Sequence, residues 1–139
     1  MIQRIQSIYL ALAALILTLL FFLPFATASL LESGVYTDGK FNIYDNLIIL
    51  ISDVIITITG IITIFLYNNR KLQLKLSSFS ILLNISILIL CLIIIFGNKN
   101  SPNLNYGLLI PVFSSLLFYL AYRGIKSDEE LVKSSNRLR

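Results

Sequence analysis

The chain has no histidine, a single cysteine and few charges. Of its 139 residues, 13% are charged, where a soluble domain carries about 25%. Without histidine there is no imidazole for acid–base work at neutral pH and none to bind zinc. Cys91 is alone, so no intramolecular disulfide and no Cys/His metal cluster can form. No Gly-rich phosphate loop is present. Ser52-Asp53 and Ser114-Ser115 lack a histidine or an intramembrane lysine to act as base. The expectation from these absences is a chain that is not an enzyme and uses no cofactor and no metal.

What the chain has in abundance is apolar surface. Its hydrophobic fraction is 57% and its mean hydropathy +0.86, values of the membrane class. Charges punctuate it. None falls between Arg4 and Glu32, between Lys75 and Lys99, or between Lys99 and Arg123. Asp53 is the only one between Asp45 and Arg70. Each interval can hold a spanning helix of about 20 residues. Spans are expected near 5–24, 47–67, 76–96 and 104–122. The predicted fold is an all-α integral membrane protein: an antiparallel four-helix transmembrane bundle over 1–122, then a charged tail over 123–139.

Lysine and arginine give the direction. Arg4, Arg70, Lys71, Lys75, Arg123, Lys126, Lys133, Arg137 and Arg139 fall on one side, and only Lys40 and Lys99 on the other. The positive-inside rule then places both termini in the cytoplasm. The net charge of +4 therefore meets the bilayer's anionic head groups rather than nucleic acid. Tyr9, Tyr67 and Tyr122 sit near the expected inner boundary, and Phe25, Phe96 and Tyr106 near the outer one, as interfacial belts do.

The first span also has the features of a secretory signal, with Pro24 and the triplet Ala26-Thr27-Ala28. Its apolar run exceeds a signal core of about 7–15 residues, so the span is expected to be retained. For the fourth span, Ser101-Pro102 suits an N-cap followed by proline at the first helical position. Pro111 then falls inside the helix and frees the Gly107 carbonyl, as a packed kink. In the outer loop, Asp38-Gly39 between Val35-Tyr36-Thr37 and Lys40-Phe41-Asn42 reads as a small extracytoplasmic hairpin with a type I′ turn. Tyr36 and Phe41 would face each other across it. Asp45 is placed to cap the second helix.

Asp53 is the notable intramembrane residue, because an acid inside lipid is costly and usually faces the bundle interior. At 100° per residue Asp53, Thr57, Gly60 and Tyr67 share a face, with Thr63 at its margin. Ser77, Ser80, Asn84 and Cys91 share one on the third span. The candidate intramembrane site is Asp53, Thr57 and Asn84, with Asn84 about 9 Å deeper than Asp53 on a count of 1.5 Å per residue. A polar seam is expected there rather than a direct Asp53–Asn84 pair. Asp53 is either a structural group that tightens the bundle or the titrating group of a proton or ion path.

The tail reads as a helix of its own. Ser127-Asp128-Glu129-Glu130 has the form of a capping box, and Glu129–Lys133 is an i,i+4 pair in the favourable direction. About ten residues are too few for an isolated helix, so the tail must lean on the bilayer surface, on the "NNRKLQLK" loop or on a partner. The candidate cytoplasmic contact is Arg70, Lys71, Lys75, Glu129, Glu130, Lys133, Arg137 and Arg139.

"MIQRIQSIYL" at the start, "RKLQLK" in the middle and "SDEELVKSSNRLR" at the end resemble a family of small four-span inner-membrane proteins of Bacteroidota, classed as a domain of unknown function. The resemblance covers the whole chain. It implies an inner-membrane location and supplies no activity. Asn136 stands where the family pattern has an aspartate. The expected function is a non-catalytic accessory subunit of a larger membrane assembly, with a membrane-protein partner or further copies of itself. The alternative is a small transporter or channel component using Asp53.

Overall fold

The computed structural model describes residues 3–27, 39–97 and 103–137. Four helices carry the chain. Helix α1 covers Gln3–Thr18 and closes in a 3-10 turn over Leu19–Phe21. Helix α2 covers Leu47–Phe65, α3 covers Arg70–Gly97 and α4 covers Leu109–Arg137. The pairs α1 with α2, α2 with α3, α3 with α4 and α4 with α1 are in contact, which closes a ring.

The packing has one repeat. Buried positions run Gln6, Leu10, Ala13, Leu17, Leu20 on α1 and Ile49, Asp53, Ile56, Gly60, Thr63 on α2. They run Gln73, Ser77, Ser80, Asn84, Ile87, Cys91 on α3 and Ser114, Phe118, Ala121, Ile125, Asp128 on α4. Each series steps by four and three residues in turn. That mean of 3.5 residues keeps one seam of a helix facing its neighbours in an antiparallel bundle. Many of the seam residues are small or polar. Gly60 lets α2 close on two neighbours: a Cβ there would lie 3.1 Å from Phe118 Cζ and 3.8 Å from Ala14 Cβ. The opposite faces are apolar and exposed, with Leu15, Ile58, Ile89 and Leu116 as examples. An inside that mixes small and polar residues with apolar ones, under an apolar outside, suits hydrocarbon as the solvent.

Among the described residues, three helical stretches are long and apolar enough to cross a membrane: Leu47–Phe65, Arg70–Gly97 and Tyr106–Ser134. A shorter apolar one covers Ile5–Phe21. The protein is thus a mainly helical chain of membrane character, and not the all-α one expected, since a small sheet is added.

At one end a small sheet plugs the bundle. Strand β1 (Ala26–Thr27) lies between β2 (Lys40–Phe41) and β3 (Asn103–Leu104), antiparallel to both. Phe25, Ala26, Phe41 and Ile43 are fully buried beneath it, and the Phe25 and Phe41 rings stack at 5.4 Å. Lys40-Phe41 of the expected outer hairpin is a strand, and the partner observed for it is β1. Gly39 has φ 70°, the left-handed conformation a type I′ turn needs. Lys40-Phe41 pairs with Ala26-Thr27 of the cleavage-like triplet, while Val35–Asp38 lie outside the described residues. Phe25 is buried in this plug rather than placed in an interfacial belt, whereas Phe96 and Tyr106 are exposed.

Other boundaries differ from the sequence expectation. Asn46, not Asp45, caps α2: its side-chain oxygen accepts from the Ile48 and Ile49 amides. Asp45 instead closes a capping box with Asn42 around the 3-10 turn Ile43–Asp45. Helix α3 begins at Arg70, six residues before the expected span. The fourth helix starts at Leu109, because Asn103–Leu104 is drawn into the sheet and Tyr106–Leu108 forms a 3-10 turn. Ser101 and Pro102 lie outside the described residues. Pro111 is thereby third in α4, within the first turn, where backbone N–H groups have no helical partner to lose. It is not a kink in the helix interior.

The largest difference is the tail. Helix α4 runs from Leu109 to Arg137 without a break, through the expected boundary at 122/123. There is no separate C-terminal helix, and Ser127 is an interior helical residue rather than an N-cap. The four-three seam explains this. Ile125 and Asp128 continue the spacing of Ala121, so the core stripe outlasts the apolar composition.

Gly107 marks where the plug meets α4. A Cβ there would press into the Pro24 carbonyl and lie 3.0 Å from the Leu23 oxygen, both backbone atoms. Gly107→Ala should therefore cost about 1–3 kcal/mol of stability, as overpacking does. Gly97→Ala, with open space around it, should leave the thermal midpoint in detergent unchanged or slightly raised.

Candidate functional site

Two polar layers cross the bundle. The first is a chain of hydrogen bonds through α2, α3 and α4. Gln73 Nε2 donates to the Thr63 carbonyl at 2.9 Å, and Thr63 Oγ1 donates to the Thr59 carbonyl at 2.6 Å. Thr59 and Ser80 hydroxyls share a bond of 3.1 Å. Asn84 Nδ2 donates to the Ser80 carbonyl at 3.2 Å, and Asn84 Oδ1 accepts from Ser114 Oγ at 2.9 Å. Asn84 is fully buried and joins α3 to α4.

Asp53 stands outside this chain. It is fully buried, yet among the described residues neither carboxyl oxygen has a hydrogen-bond partner. The same holds for Thr57 Oγ1, one turn along α2, and for Ser77 Oγ. The Thr59–Ser80 contact fixes the heights. One turn from each toward the sheet end are Ile55 and Asn84, so Asn84 lies about 3 Å from the level of Asp53, not 9 Å. The pair still does not form, because Asn84 spends its amide on Ser80 and its oxygen on Ser114. Of the expected α2 face, Asp53, Gly60 and Thr63 are buried, Thr57 is partly buried and Tyr67 is exposed. On α3, Ser77, Ser80, Asn84 and Cys91 are all buried together as the spacing indicated.

The second layer lies at the end opposite the sheet and ties α1, α3 and α4 together. Gln6 Nε2 donates to Asp128 Oδ2 at 2.8 Å. Arg70 Nη1 donates to the Asp128 carbonyl at 3.0 Å. Gln6 and Asp128 are both buried. Gly124, one turn before Asp128, leaves the room through which Gln6 passes: a Cβ there would lie 2.9 Å from Gln6 Cγ. A cavity of about 10 Å³ lined by Gln6, Ser7, Arg70, Gln73 and Asp128 is the size of one water. Gln73 lines this cavity and also starts the first layer, so the two layers are continuous.

The other expected contact residues fall around this node. Lys71, Lys75 and Glu130 are exposed. Lys133 Nζ pairs with Glu129 Oε1 at 2.8 Å, and this hydrogen bond holds the Glu129 carboxyl below the usual glutamate range. Arg137 ends α4, and Arg139 lies outside the described residues. Among the described residues no three His, Cys, Asp or Glu side chains converge as a metal site.

Gln6, Gln73, Ser114 and Asp128 were not singled out by composition. Gln6 looks like a flank of an apolar span, and Asp128 like the acid of a capping box. Their signal is spacing: Gln6 leads Leu10, Ala13 and Leu17, and Asp128 follows Ala121 and Ile125, in the same four-three rhythm.

The lower layer makes a quantitative prediction. Gln6→Ala and Asp128→Ala should each cost about 1–3 kcal/mol, the penalty of leaving a buried partner unpaired. The double variant should cost little more than the worse single one, since the residues share one interaction. Glu130→Ala should leave stability unchanged. Thermal unfolding of the purified chain in mild detergent measures all four.

Comparison with curated proteins and with solved structures gives no match. A family model described as "Domain of unknown function (DUF4293)" matches residues 2–138. That range takes in all four helices, the sheet and both polar layers, and the chain belongs to this family of unknown function.

Proposed function

We propose that the protein is a non-catalytic accessory subunit of a membrane assembly, with α4 as its docking element. The continuity of α4 past the bundle carries this reading. Its 29 residues span about 43 Å at 1.5 Å each, against a hydrocarbon core of about 30 Å. The excess stands beyond the apolar zone and is braced at its base by Gln6 and Arg70. Above the brace, Leu131 and Val132 are 58% and 46% exposed, beside Glu130 and the Glu129–Lys133 pair. A rigid helix with apolar residues bared among charges is a preorganised contact that spares a partner the cost of ordering it.

The membrane setting that goes with this proposal is four spans, with both termini in the cytoplasm and the chain in the inner membrane of a bacterium of the Bacteroidota. The apolar stretch Ile5–Phe21 reaches the lower limit of about 17 residues for a span. Its outer face, from Ile8 through Leu15 to Phe22, is exposed and apolar. The basic residues at the α4 end and their excess over Lys40 and Lys99 support the orientation. Neither a basic groove for nucleic acid nor a catalytic constellation is part of the proposal.

Removal of everything after Glu130 should release a stoichiometric partner and leave the bundle folded, because Asp128 and its brace remain. Leu131→Asp should weaken the same contact about tenfold or more. Co-purification from native membranes in mild detergent reads both. An unchanged complex in the two variants contradicts the proposal. A cut after Arg123 is the wrong test, since it removes Asp128 and loosens the bundle itself.

A second reading has one observation in its favour: the carboxyl of Asp53 and the hydroxyl of Thr57 are buried without partners. On this reading the chain is a transporter or channel component and Asp53 its working group. Asp53→Asn then abolishes flux in vesicles. If Asp53 is only structural, Asp53→Leu should stabilise the bundle by about 1–3 kcal/mol, the cost of an unsatisfied buried group, and flux should be unaffected.

A further inference from the structure

The outward seam between α3 and α4 is lined in an order that matches a lipid molecule. Two open grooves occur along it. One, of about 410 Å³, is lined by Asn68, Arg70, Lys71, Glu129, Val132 and Lys133 among others. The next, of about 370 Å³, is lined by Leu74, Lys75, Ser78, Phe79, Leu82 and Tyr122.

The grooves lie end to end. Lys71, Lys75, Ser78 and Leu82 are spaced by four, three and four residues, so they share one face of α3. Tyr122, Lys126, Glu129 and Lys133 do the same on α4. The two helices are neighbours and run in opposite directions, so Lys133 stands by Lys71 and Tyr122 by Ser78. From the charged end inward the lining reads cations, then hydroxyls, then hydrocarbon. Lys71 to Leu82 covers 11 residues, about 16 Å. Phe79 and Leu82 are 46% and 67% exposed and face outward, toward the lipid.

Charge selects the occupant. Among the described residues, the acid that lines the seam is Glu129, already paired with Lys133. Arg70 has given one donor to the Asp128 carbonyl. Lys71, Lys75 and Lys126 are exposed, and no ion pair is formed by them among the described residues. These exposed cations are available to an anion, and one that carries a hydrocarbon chain would also cover the continuation along Phe79 and Leu82. Basic clefts between spanning helices are suited to anionic lipid head groups.

We propose that the α3–α4 seam is a binding site for one anionic phospholipid. Its phosphate lies between Lys71 and Lys75, its glycerol region beside Ser78 and Tyr122, and one acyl chain along Phe79 and Leu82. The site needs the chain to sit in a membrane but does not need the docking partner. Glu129, Val132 and Lys133 border both surfaces, whereas Leu131 belongs to the docking face alone and Lys75, Phe79 and Leu82 to the lipid groove alone, so Leu131→Asp separates the two. A lipid can therefore be present where docking fails, and the reverse.

Native mass spectrometry of the full chain in mild detergent tests the site, with phosphatidylglycerol or phosphatidylcholine of the same acyl chains added in steps. One phosphatidylglycerol should bind ahead of all others and at least tenfold more tightly than phosphatidylcholine. Lys71→Gln with Lys75→Gln should abolish that preference, while Lys40→Gln at the opposite end should keep it. Dihexanoyl phosphatidylglycerol should bind more weakly than the long-chain lipid, because the chain groove is left unfilled. Equal binding of the two head groups by the unaltered chain overturns the proposal, whatever the variants do. So does a preference that survives in a folded double variant, or a short-chain lipid that binds as tightly as a long one.

Discussion

The fold depends on a hydrogen bond between the two ends of the chain. Gln6 on α1 reaches Asp128 on α4, 122 residues later, and Arg70 reaches the same residue from α3. In hydrocarbon, helices gain little from burying apolar side chains, since lipid tails are as apolar as leucine. Association must come from close packing and from polar groups that have no other partner. This bundle uses both. Gly60, Ala13, Ala14 and Ala121 bring the helices near, and Asn84, Ser114, Thr59 and Ser80 join them by hydrogen bonds at mid-height. The Gln6–Asp128 contact then closes α4 against α1.

The closure has a consequence for function. A charged segment after a last span is commonly a solvated extension, but here its first residues are core residues. Ile125 and Asp128 are buried, so the helix cannot bend away at the membrane boundary without breaking its own packing. What stands beyond is held at a fixed angle. The same bracing shapes the α3–α4 seam, because Arg70 sits between Asp128 and the groove. One buried contact thus sets the direction of the proposed docking helix and one wall of the proposed lipid site.

Much of the architecture was legible in the sequence, and the reasons for the rest are physical. Long intervals without charge mark the helices because charge inside lipid is costly, and the polar face of α3 followed from helical spacing. The caps and the ends of α4 were misread because local signals gave way to tertiary ones. Ser127 to Glu130 has every feature of a helix start, yet the core stripe through Ala121, Ile125 and Asp128 is already helical there. Asp45 gave way to Asn46 because the sheet pulls Phe41 inward and Asp45 turns back to Asn42. The Asp53–Asn84 depth was overestimated because the two spans do not end level. With Thr59 beside Ser80, α3 reaches Gly97, beyond the start of α2 at Leu47, so counts from the two outer ends have different origins. In a soluble protein the apolar face would have shown the seam. Here both faces are apolar, and the seam is visible only as small and polar residues at a four-three spacing.

The central claim is that α4 is one helix braced at Asp128 and rigid beyond the bundle. Amide hydrogen exchange of the full chain in mild detergent, read by mass spectrometry over residues 119–134, tests it most directly. Protection that continues without a gap from Tyr119 through Glu129, and that collapses from Arg123 onward in Gln6→Ala, is the predicted result. Rapid exchange beginning at Arg123 in the unaltered chain would mean a loose tail joined to a shorter helix, and would contradict the account.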